Sequence, residues 1–89
     1  MKLVLMIDQV FEGAVVDHYD DGQFQTFHKV EAHVAEGDRA GEKLTILVEA
    51  GDPLFDQWNR PAQKLSVSIS PEDLRSPQLF AAAFTVVQP

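Results

Sequence analysis

The residues able to do chemistry gather in one stretch, Phe11 to Val34, around the tip Tyr19-Asp20-Asp21-Gly22-Gln23-Phe24. Aromatic side chains stand out there, and an exposed ring on a sheet is a stacking platform. Nucleobases stack on such rings at roughly 1 to 3 kcal/mol each, with little regard to sequence. Phe27 is the leading platform, because Gln25 and Lys29 share its face of a strand with period two. His18 and Tyr19 sit across the tip, opposite Gln25 and Phe24. Lys29, Arg39 and Lys43 are the cations placed to meet phosphates, with Arg60 and Lys64 further along; they form no run.

A second aromatic group is Phe55 and Trp58, three apart on one helical turn, with Arg60 two residues on. Trp and Arg dominate binding hot spots, so Phe55, Trp58 and Arg60 are candidates for an interface. The same spacing also suits a pair that plugs the open end of a barrel.

Other chemistries lack their constellations. His28 and His33 are five apart, which puts them on opposite faces of a strand, where they cannot share an ion. His18, beside Asp17 and Asp20, has no third ligand at a metal-binding spacing. Glu12, Asp17 and Glu31 offer carboxylates without a partner for acid–base work. There is no Ser/His/Asp arrangement, phosphate loop or dinucleotide fingerprint. The chain reads as a non-enzyme with no cofactor and no metal.

These side chains need a scaffold of strands. Asp21-Gly22 between two β-rich arms is a strong hairpin signal, since the turn needs positive φ. Taken as a two-residue loop, it sets Tyr19 opposite Phe24, Val16 opposite Phe27 and Val15 opposite His28. The pattern predicts strands at Leu3–Ile7, Val10–Tyr19, Phe24–Val34, Lys43–Glu49, Lys64–Ser70 and Leu79–Val87. A break is expected at Asp8-Gln9, and a bulge or sharp bend at Gly13. Leu54–Asn59 suits one helical turn. Ser70-Pro71-Glu72-Asp73 has an N-cap, a first-position Pro and first-turn acids, so it opens a short helix. Val15, Val30, Ala32, Ile46, Val48, Leu65, Val67, Ile69, Phe80 and Phe84 are the expected core. The result is an all-β domain spanning 1–89, a small five- to six-stranded, closed or half-closed antiparallel barrel with one or two short helical turns. Closure would protect edges that a short open sheet exposes.

Composition bounds the function. With 89 residues, 45% of them apolar, there is room for one modest core. No run reaches the roughly 20 apolar residues of a membrane span. The apolar start is shorter than a signal peptide's, so a cytoplasmic location is expected. Fourteen acidic residues against seven basic give −7. That balance works against broad affinity for phosphate backbones and anionic membranes.

In strand order and spacing the chain resembles the small single-stranded-DNA-binding proteins of filamentous phages. The matching pieces are the hairpin Val10–Tyr19 with Phe24–Val34, then Leu44–Glu49 and the turn Gly51-Asp52-Pro53. Ala62–Ile69 and Leu79–Pro89 complete the likeness. The resemblance implies an OB-type fold, a phage or mobile-element origin and single-stranded DNA as partner. It departs at the tip, where Asp17, Asp20 and Asp21 stand in place of the family's basic residues. Two functional expectations follow. One is binding of single-stranded nucleic acid by stacking on the outer face of the hairpin. The other is an acidic protein-interaction module or accessory subunit, drawn to a basic partner or mimicking nucleic acid. A homodimer is expected on either, because so small a barrel buries limited apolar area.

Overall fold

A computed structural model describes residues 1–18, 22 and 24–87, the side chains of 15–18 excepted. The predicted places of Tyr19, Asp20, Asp21 and Pro89, of the His18 side chain, and of Val15 in the core therefore lie outside the described residues.

The chain is all-β, a six-stranded mixed sheet curled into a half-barrel. The strands are β1 (Lys2–His18), β2 (Phe24–Val34), β3 (Lys43–Glu49), β4 (Lys64–Ser68), β5 (Leu79–Phe80) and β6 (Thr85–Val86). Their spatial order is β5-β3-β2-β1-β4-β6. Two helical turns, α1 (Phe55–Trp58) and α2 (Pro71–Leu74), join them. The Ser70 hydroxyl accepts the Asp73 N–H at 3.1 Å, as its N-cap sequence predicts. Among the described residues, no helix is long and apolar enough to cross a membrane.

β1 is one strand with two irregularities where two strands with a break are expected. Ile7 pairs with Ala32 but Gln9 pairs with Glu31, so Asp8 is an extra residue. One added residue swaps the faces of a strand. Leu3, Leu5 and Ile7 face the core before it, and Val10 packs on the core after it. Between Phe11↔Lys29 and Val15↔Phe27, β1 spends four steps against two on β2. Gly13 lies in that excess at φ +63°, a backbone region that favours glycine.

The hairpin register differs by one residue from the two-residue-loop expectation. His18, not Tyr19, pairs with Phe24; Asp17, not His18, pairs with Gln25; Val15, not Val16, pairs with Phe27. Of the expected turn only Gly22 is among the described residues, at a positive φ of 83°. The register is set by pairing all along the arms as well as by the tip.

Leu79–Val87 is not one strand. Leu79–Phe80 pairs in parallel with β3, and Thr85–Val86 pairs antiparallel with β4, at the other edge of the sheet. A 3₁₀ turn at Ala81–Ala83 lies between them. Three alanines lack the branching that holds a strand and tolerate a tight turn. Five steps separate Phe80 from Thr85, which at full extension span about 18 Å. The two edges are therefore drawn close, and this one segment ties them together.

The turn also changes which residues are buried. Leu79, Ala81 and Phe84 enter the core, whereas Phe80, expected there, lies on the surface. The other expected core residues with described side chains are buried, joined by Val34, Leu44 and Trp58. Trp58 is 0% exposed and meets the Phe84 ring edge-on at 5.2 Å. It plugs the barrel and offers a partner no surface, so the expectation of an exposed anchor at Trp58 fails.

Candidate functional site

The sheet has an inner face, which is the core, and an outer face that carries the remaining aromatics. On β2 the inner residues are Val30, Ala32 and Val34, and period two turns Phe27, Lys29, Glu31 and His33 outward. On β3, Leu44, Ile46 and Val48 point in, which leaves Lys43, Thr45, Leu47 and Glu49 outside. Pairing then aligns Phe11, Lys29, Leu47 and Phe80 in one row across β1, β2, β3 and β5.

This row is the candidate site. The Lys29 ammonium lies 4.7 Å from the centre of the Phe11 ring, a cation–π contact. The same ammonium is 3.8 Å from a Glu31 carboxylate oxygen. Phe11 is 37% exposed and Phe80 38%, so each keeps part of a ring face open to solvent. Phe24, nearer the tip, is exposed as well.

Phe27 lies on the predicted face but is not an open platform. It is only 5% exposed, because Phe80 covers it with ring centroids 5.8 Å apart. Beside this pair the outer face sinks into a cleft of about 440 Å³, lined by Gln25, Phe27, Leu47, Glu49, Asp52, Gln78 and Phe80. The expected platform is thus the cleft's floor, and Phe80 is the ring that faces outward.

The predicted cations do not converge on it. Lys29 is in the row, but Lys43 pairs with His33, six positions along β2 from Phe27. At about 3.3 Å per residue that is roughly 20 Å away. Arg39 lies in the loop beyond that end and contacts Glu42 at 3.2 Å. Lys64 faces Glu36 at 3.9 Å on β4. Arg60 is exposed just after α1. Phe55 is half-buried and stacks on His28 at 3.9 Å, so it braces the inner side of the hairpin.

His33 takes a structural role. Its Nδ1 lies 2.9 Å from both oxygens of Asp8, tying the bulge of β1 to β2 on the outer face.

Sequence reasoning missed Phe11 and Phe80 as site residues. The extra residue at Asp8 hides the face of Phe11 from a simple period-two count along β1. Phe80 is hidden by the continuous apolar look of Leu79–Val87. Ala81-Ala82-Ala83 is the signal that could have shown the break.

No family model matches the chain, and no curated protein or solved structure proves similar to it. The fold and the site define a class, a small all-β half-barrel with an aromatic outer face, and function has to be read from that face.

Proposed function

We propose that this protein binds single-stranded nucleic acid, with DNA as the first substrate, by stacking bases on the outer face of the sheet. The observation that carries the reading is the row Phe11–Lys29–Leu47–Phe80, which sets partly open rings on either side of a lysine. Stacking is indifferent to base sequence and needs little positive charge, which suits a chain of net charge −7. The resemblance in strand order to the phage proteins points the same way.

Lys29 is the one cation of the row, so few counterions are released on binding. The logarithm of affinity should then fall with that of salt at a slope near −0.7, the contribution of about one phosphate contact to a single strand.

The test is a titration of fluorescently labelled oligo-dT at low salt, followed by anisotropy. The label is required, because Trp58 is buried and cannot stack on a base. Saturable binding with a shallow salt slope, weakened by Phe11→Ala, is the expected result. Absence of binding at low salt would refute the proposal.

A further inference from the structure

The cleft beside the aromatic row has a chemistry of its own. Its floor and one wall are apolar, from Phe27, Leu47 and Phe80, and its rim carries the carboxylates of Glu49 and Asp52 and the amide of Gln78. Among the described residues lining it, none is basic.

The two carboxylates are held near one another by a turn. The Asp52 N–H donates to the Glu49 carbonyl at 3.0 Å, and Gly51 supplies the positive φ of 87° between them. One oxygen of Asp52 accepts the Leu54 N–H at 2.9 Å, which orients that carboxylate. Glu49 is at the end of β3, on the same outer face as Leu47 and directly across from Phe27.

A phosphate placed here would meet two negative charges, so the cleft repels the backbone that the neighbouring row is proposed to serve. An aromatic wall beside carboxylates has the opposite preference. It attracts a cation that is flat, weakly hydrated and able to donate several hydrogen bonds. A guanidinium can lie against Phe80 and give paired N–H bonds to Glu49, with an amide or Asp52 at its side. An ammonium fits less well, being a compact and strongly hydrated point charge. The overall charge of −7 would also speed the approach of a basic partner.

We infer that this cleft is a second binding site, which takes an arginine side chain from a basic partner protein. The inference does not depend on nucleic-acid binding. The two sites share Phe80, so a bound arginine would compete with a base stacked there.

The test uses backbone amide NMR of the full chain. Blocked arginine (Nα-acetyl-arginine amide) is titrated in one arm, and blocked citrulline, its uncharged isostere, in another. The expected result is saturable shifts at Leu47, Glu49, Asp52 and Phe80 with arginine and none with citrulline. Glu49→Gln should weaken the response about tenfold or more, and Asp52→Asn less, because asparagine keeps the turn contact. A third arm adds oligo-dT. Equal response to citrulline, shifts scattered over all surface carboxylates, or an unchanged Glu49→Gln response would overturn the inference. So would oligo-dT shifting the Glu49 and Asp52 signals, since a nucleobase would then be the cleft's occupant.

Discussion

The backbone N–H of Gly13 donates to Nδ1 of His28 at 2.9 Å, across the irregular part of the hairpin. A backbone N–H can only donate, so Nδ1 of His28 is the acceptor and the ring's hydrogen is assigned to Nε2. The ring also stacks on Phe55, which links three separate elements: the β1 bulge, β2 and the α1 turn. That irregularity adds two residues to β1, an even number, so the face of Phe11 is fixed by the Asp8 bulge before it. The Gly13–His28 contact thus braces the hairpin beside the outer aromatic row.

Gly13→Ala tests the backbone part of this link. A Cβ at Gly13 would meet only Thr26 Cγ2 at 3.9 Å, an ordinary contact. The cost is therefore that of the left-handed conformation, about 1 to 2 kcal/mol. His28→Phe keeps a ring against Phe55 and removes the acceptor. It should cost about 0.5 to 1 kcal/mol, because water can reach the freed N–H. In a double-mutant cycle by urea unfolding, the two losses should sum to more than the double variant shows, since both act on one link. Strict additivity would show that the hydrogen bond does not brace the bulge.

Trp58 against Phe84 is the centre of the core. Phe84→Ala should cost about 3 to 5 kcal/mol, a large share of the stability of a domain of this size. The Trp58 indole N–H is buried and finds no hydrogen-bond partner among the described residues, a condition that itself costs roughly 1 to 3 kcal/mol. Trp58→Phe removes that orphan donor while leaving a smaller void than Trp58→Ala. Its net loss should accordingly be well under half that of Trp58→Ala, measured by circular dichroism during urea unfolding. Equal losses would mean that the indole N–H carries no penalty.

The two aromatic sites show what the sequence could and could not reveal. Leu44, Ile46 and Val48 alternate without interruption, and their burial was legible from period two alone. The Ser70 cap and the α1 turn were legible from local chemistry. The face of Phe11 was not, because it depends on the one residue that β1 loses at Asp8, a matter settled by pairing with β2. Phe27 was assigned to the correct face, yet its cover comes from Phe80, some fifty residues later in the chain. That contact exists because Ala81–Ala83 turns and sends the chain to the opposite edge of the sheet. Trp58 looked the same as an anchor or a plug, since its spacing from Phe55 fits both; the seat beside Phe84 decides it.

Ala62 adopts φ +63° on an exposed turn, the one non-glycine residue in that region among those described. Ala62→Gly should relieve a conformational cost of about 1 to 2 kcal/mol. Part of the gain is lost to the greater freedom of glycine in the unfolded chain, about 0.4 to 1 kcal/mol. A net stabilisation near 0.5 kcal/mol is expected, visible as a rise in Tm. A fall in Tm would mean that the turn is held by something other than its φ.

The outer row separates a residue that binds from one that supports. Phe27 is covered by Phe80, so Phe27→Ala should act first on stability, with a loss of about 3 kcal/mol in unfolding. Phe11 is partly open and makes its described ring contact with Lys29, worth about 0.5 to 1 kcal/mol at an exposed site. Phe11→Ala should therefore leave the fold intact and lower oligo-dT affinity by about 1 to 3 kcal/mol, if one base stacks there. Lys29→Ala removes one phosphate contact and should cost less than Phe11→Ala, while flattening the salt slope by about 0.7. The order Phe11 above Lys29 distinguishes stacking from charge as the source of affinity. If Lys29→Ala proves the more damaging, the outer face binds through its charge and the aromatic row is only a hydrophobic seam between strands.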